Sequence, residues 1–142
     1  MTLAGSVLGV CMVLAAAPDV APRFVPVRDF TLAWTHSIEK LRWEEDYVVM
    51  PPRTGGGKPV LVAGKARIRG SGAGMEPPPD ATFKGGWYEY QPQRQLPDQL
   101  RLTRSAYTAD YEWCENGSCK PLSAIMPTDG GVTLLYPCRK AN

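Results

Sequence analysis

The segment Thr35 to Tyr47 reads THSIEKLRWEEDY and holds the chain's only histidine, His36, with Ser37 beside it and four carboxylates close by. An imidazole near a hydroxyl and an acid is the residue set of general acid–base and nucleophilic catalysis. Strand phase decides which of these groups can meet. In DFTLAWTH, Phe30, Leu32 and Trp34 share one phase and Asp29, Thr31 and Thr35 the other, the period of a half-buried strand. His36 continues the apolar phase. In LRWEEDYVV, Leu41, Trp43, Tyr47 and Val49 share a face, and Glu45 falls in phase with them. With Ser37 to Lys40 as a hairpin turn, His36 and Glu45 point inward at one end of the core. A buried carboxylate is costly unless paired, and imidazole is a suitable partner. The expectation is a His36–Glu45 pair, direct or through water, which as a purely structural element would pin the hairpin register.

Two readings compete with this one. A helix over 38–48 is disfavoured because its apolar positions fit a 3.6-residue stripe poorly. Nucleophilic use of Ser37 is disfavoured because adjacent strand residues face opposite ways and no Gly-x-Ser-x-Gly elbow is present. Ser37 reads better as a turn residue bonding to nearby backbone. Glu39, Glu44 and Asp46 fall in the turn or on the opposite, solvated face.

The second constellation is GSGAGMEPPP, with Gly70, Gly72 and Gly74 at alternate positions. Such a chain can turn its N–H groups toward an anion. It lacks both the dinucleotide fingerprint and the Lys-Ser/Thr ending of a nucleotide loop. It reads first as a sharp bend leaving a strand, and second as a ligand or partner contact. The aromatic residues of GWYEYQP read as core and surface cover rather than a stacking platform.

The elements that must position these residues follow from length and composition. A chain of 142 residues fits one domain. Fourteen Gly and fourteen Pro are too many for a helical bundle and suit many short strands. Beyond the first two strands, VLVAGKARIRG, GWYEYQ, LRLTRSAY, ADYEWC with CKPL, and GVTLLYP are the candidates. In VLVAGKARIRG, the even positions Val60, Val62, Ala66 and Ile68 are expected inward, with Lys65, Arg67 and Arg69 outward. Seven to eight short strands predict an all-β antiparallel sandwich or small barrel. Sixteen basic against 14 acidic residues give no general attraction to nucleic acid. No cofactor motif is present, and the cysteines lack zinc-ligand spacing.

Residues 3–17, LAGSVLGVCMVLAAA, are uncharged and end in an Ala-x-Ala pattern before Pro18. This predicts a signal peptide over 1–17 and a single all-β domain over 18–142. A membrane anchor through 3–17 is the alternative, although the run is shorter than the roughly 20 residues a spanning helix needs. Lipidation at Cys11 is a third. Export would place Cys114, Cys119 and Cys138 where pairing is the default. Asn116-Gly117 lies midway between Cys114 and Cys119 and is the strongest two-residue hairpin signal. Counting outward makes Cys114 and Cys119 a non-hydrogen-bonded pair, within disulfide reach. A bond from Cys138 to either one is the rival.

FTLAWTHSIEK with WEEDY, then RGSGAGMEPP, then WCENGSC, together resemble one small family of exported bacterial proteins, the domain of unknown function 1850 family, over about residues 28–122. The resemblance marks His36, Ser37, Glu39, Glu45, Gly72, Gly74, Cys114 and Cys119 as motif positions. It implies a periplasmic setting beside TAXI-type tripartite ATP-independent transporters, and carries no family activity. The resulting expectation is a non-catalytic accessory or binding protein whose partner is a transporter subunit, a solute receptor or a small organic acid. A small hydrolase using His36 with Glu45 is the alternative.

Overall fold

A computed structural model describes residues 6–35, 40–54, 56–69, 80–92 and 95–141. Among them are eleven strands: β1 (Ser6–Leu14), β2 (Arg23–Val25), β3 (Asp29–Thr35), β4 (Arg42–Met50), β5 (Val60–Arg69), β6 (Thr82–Lys84), β7 (Trp87–Tyr90), β8 (Leu100–Thr103), β9 (Glu112–Glu115), β10 (Ser118–Pro121) and β11 (Val132–Ala141). A 3₁₀ turn at Leu122–Ala124 is the only helical element among the described residues. The strands form two antiparallel sheets, ordered β2-β1-β11-β8 and β10-β9-β3-β4-β5-β7-β6. The fold is an all-β sandwich and not a closed barrel. The sequence reading missed three strands, β1, β2 and the three-residue β6.

The core lies between the sheets. Val10, Met12, Leu102 and Leu135 come from the four-stranded sheet, and Phe30, Leu32, Tyr47, Val49 and Trp113 from the seven-stranded one. Phe30 stacks on both Trp113 and Tyr47, with centroids 4.4 and 5.4 Å apart. Such pairs add roughly 0.5–1.5 kcal/mol each beyond the area they bury. Arg104, only 2% exposed, is tied to Asp110 by two hydrogen bonds of 2.9 and 2.7 Å and donates to Thr133 Oγ1 at 3.1 Å. A buried guanidinium needs such a bidentate partner.

The apolar run read as a leader or anchor has a different place in this structure. Its residues 6–14 are β1, an interior strand paired along its whole length with β11. Val10 and Met12 are fully buried, and Cys11 is disulfide-bonded to Cys138. Residues 6–14 thus pack with the four-stranded sheet. Uniform apolarity hid the strand, because a strand deep in a sheet lacks the polar alternation that marks a half-buried one. Gly9 lets β2 approach, since a Cβ at that position would lie 2.1 Å from the Val25 carbonyl oxygen. Among the described residues no helix is long and apolar enough to cross a membrane.

The phase expected for β5 needs a second correction. Leu61 is buried, whereas Val60 and Val62 are exposed on the outer face. Glu45 pairs with Ala66 but Tyr47 pairs with Ala63, so β5 carries one extra residue between these points. This β-bulge, at Gly64–Lys65, reverses the parity. Ala66 and Ile68 are inward as expected, and the residues before the bulge are inverted.

The extended reading of β4 holds, as does the Asn-Gly hairpin. Asn116 and Gly117 have φ of 51° and 78°, the conformation of a two-residue type I′ turn. Cys114 faces Cys119 across it, with Cα atoms 4.1 Å apart, and the two are bonded.

Candidate functional site

The β3–β4 hairpin sets the geometry of the first constellation. Leu32 pairs with Glu45, Trp34 with Trp43 and Thr35 with Arg42. Trp43 in turn pairs with Ile68, one residue before the end of β5. The strands that precede residues 36–39 and 70–79 therefore finish at the same end of the seven-stranded sheet. His36, Ser37, Glu39, Gly72 and Gly74 lie outside the described residues. Of the site residues expected from sequence, Glu45 and the two disulfide cysteines are described.

Glu45 shares the inward phase of Tyr47, as its spacing predicts. The Tyr47 hydroxyl donates to Glu45 Oε1 at 2.7 Å. Glu45 lines a cleft of about 510 Å³ between the sheets, together with Trp34, Tyr47, Tyr111, Leu96 and Leu102. The walls come from β3 and β4 on one side and from β8 and the segment before it on the other. Trp34 packs against both Trp43 and Tyr111, with centroids 6.0 and 5.8 Å apart. Burial raises the pKa of the Tyr111 phenol, and the nearby negative charge of Glu45 raises it further. Tyr111 is thus kept protonated beside the acid. A carboxylate oriented by a phenol within aromatic walls can accept hydrogen bonds from a hydroxyl or ammonium group, and the ring faces favour a cation. Arg101 lines the same cleft and brings a cation to it.

The opposite face of β4 holds a cluster that the sequence reading assigned to solvent. Arg67 donates to Glu44 at 3.0 Å and to both oxygens of Asp46 at 2.9 and 2.8 Å. Arg42 bonds Glu44 at 2.8 Å and Glu112, bridging β4 to β9. Thr31 donates to Asp46 at 2.7 Å. Burial alone would raise the Asp46 carboxyl, but the hydrogen bonds from Arg67 and Thr31 outweigh it and hold the pKa below the ordinary range. Arg67 is held above its ordinary value, first by its bonds to Asp46. The signal was present in the register, since Glu44 and Arg67 are cross-strand partners on outward positions. These charges are spent on one another, so the cluster is a clasp across four strands, β9, β3, β4 and β5, rather than a ligand site. The Cys114–Cys119 disulfide lies at its border, with both sulfurs within 4.0 Å of Arg42 Nη2.

Among the described residues no group of three or more His, Cys, Asp or Glu side chains is placed to hold a metal ion. The family model described as "Domain of unknown function (DUF1850)" matches residues 30–122, more than half of the chain. The chain belongs to this family. No curated protein and no solved structure matches it. The range matched to DUF1850 takes in nearly all of the seven-stranded sheet and β8, with the ion-pair clasp, the hairpin disulfide and Glu45. The strands β1, β2 and β11 lie outside that range.

Proposed function

We propose that the protein is an exported, non-catalytic accessory module that serves a TAXI-type tripartite ATP-independent transporter of organic acids. It acts by contact with the transporter's receptor or membrane subunits. Support for export comes from the cysteines, all four of which are used in disulfides, Cys11–Cys138 and Cys114–Cys119. Such bonds persist in oxidising compartments. Support for partner contact comes from the cleft around Glu45. A carboxylate held by Tyr47 within aromatic walls, with Arg101 in the same lining, offers both an acceptor and a cation to polar groups presented by a protein.

The deciding experiment is co-purification from cells expressing the transporter, with wild type and Glu45→Gln compared. The reading expects wild type to bring down transporter subunits and the variant to lose them while remaining folded. Absence of any co-purifying subunit, together with a thermal shift produced by a small organic acid, would refute it.

A further inference from the structure

Strand β5 is longer than its neighbour on one side. It pairs with β4 along almost its full length, but with β7 only over Ala66–Arg69. Residues Val60 to Gly64 therefore run past the end of β7. The direction of their backbone groups follows from β4. Val49 N–H donates to the Arg28 carbonyl at 2.7 Å, away from β5. Its partner Leu61 is then in a non-hydrogen-bonded pair with β4 and turns its own N–H and C=O outward along an edge that no strand pairs among the described residues. Ala63, two residues on, faces the same way. Gln91, immediately after β7, marks this edge, because its Nε2 donates to the carbonyls of Ala63 and Gly64 at 3.3 and 3.0 Å. A side-chain amide stands there where a strand's backbone amide would.

The surroundings suit an added strand. Val60 and Val62 are each 44% exposed beside the edge. A groove of about 800 Å³ runs along it, with Leu96 and Tyr136 in its lining. The charged lining residues are Arg53 and Lys58 against Asp98. An exposed apolar edge of this kind is normally blunted by inward charges, proline or a covering element, and extended peptides dock on such edges through main-chain bonds.

We propose that the Val60–Ala63 edge of β5 is a docking site for an extended, acidic segment of a partner polypeptide, which joins the seven-stranded sheet as one more strand. The main-chain bonds come from Leu61 and from the Ala63 N–H, the Ala63 carbonyl being held by Gln91, apolar contact comes from Val60 and Val62, and the preference for acidic residues from Arg53 and Lys58. This surface is across residues 95–99 from the Glu45 cleft, and the inference stands whether or not the transporter reading does.

The test uses a fluorescein-labelled heptapeptide of alternating glutamate and valine, titrated by anisotropy against the full chain, with amide hydrogen exchange followed in parallel. Saturable binding is expected, with exchange slowed at the Leu61 and Ala63 amides. Raising salt weakens it, and a lysine–valine peptide binds at least tenfold more weakly. N-methylation of alternate peptide amides removes the donors and abolishes binding. Val62→Asp on the protein lowers affinity at least tenfold, and the peptide variants remain decisive should that protein misfold. Undiminished binding of the N-methylated peptide, or none at about 1 mM, overturns the proposal. So does a concentration-dependent dimer that protects the same two amides without peptide, because it assigns the edge to a second copy of the chain.

Discussion

Tyr47 and Glu45 lie two residues apart on one strand, on its inward face, and are joined by a 2.7 Å hydrogen bond from phenol to carboxylate. Tyr47 is almost fully buried and stacked on Phe30, so the acid inherits the rigidity of the core. Replacing Tyr47 by Phe removes the donor while preserving the stack. A loss of about 1–2 kcal/mol is expected from urea denaturation, with an unchanged m-value. If the proposed transporter contact holds, co-purification with its subunits weakens in step.

The two disulfides should differ in what they contribute to stability. Cys11–Cys138 spans a sequence separation of 127 and Cys114–Cys119 one of 5. The chain-entropy model gives about 5 kcal/mol for a loop of the first size and about 2 kcal/mol for the second. Cys11→Ser with Cys138→Ser should therefore lower the melting temperature more than Cys114→Ser with Cys119→Ser. Equal losses would reject that ordering.

Because β1 belongs to the core, the folded protein should retain it. Peptide mapping without reduction is expected to yield a fragment linking Cys11 to Cys138. A product that begins at Pro18, with the Cys138 thiol free, would show the opposite.

Arg67→Met leaves Glu44 and Asp46 without their shared cation in a half-buried setting. We expect a loss of about 2 kcal/mol at pH 7, discounted from fully buried pairs because solvent reaches the cluster. Asp46 has a folded pKa below its unfolded value of about 3.9, so its contribution is complete above that value and disappears as the pH falls through the lower, folded one. The difference between wild type and variant should be constant above about pH 5 and shrink below about pH 4, read from urea midpoints across pH. Asp110, depressed by Arg104 against the opposing effect of burial, adds the same sign to the acid instability of the wild type.

Gly117→Ala places a Cβ at a φ of 78° in the hairpin turn. A cost of about 1–2 kcal/mol is expected in thermal unfolding, with the disulfide still formed.

Alternation was enough to place β3 and β4 as neighbours and to bring Glu45 inward, because Phe30, Leu32 and Trp34 alternate with Asp29, Thr31 and Thr35 along β3, with Ala33 alone departing from the polar phase. It misled in β5, where a single extra residue at Gly64–Lys65 inverts every side chain before it, and Gly64, a lone glycine inside the strand, is the one mark it leaves in the sequence. Register also carries what composition does not. Glu44, Asp46 and Arg67 look like ordinary solvated charges until β4 and β5 are laid side by side. The Cys11–Cys138 bond was unreadable for another reason. Its first member stands in a segment whose uncharged composition matches a leader as well as it matches a buried strand.

Ser6 and Ala141 are cross-strand partners, and the bond between Cys11 and Cys138 lies five residues further in on β1. A tether pulling on the two ends would peel β1 from β11 like a zipper until the load reached sulfur. Everything beyond that point is then mechanically shielded, and the part of the molecule inside the covalent stop keeps its shape under tension that would unravel a reduced chain.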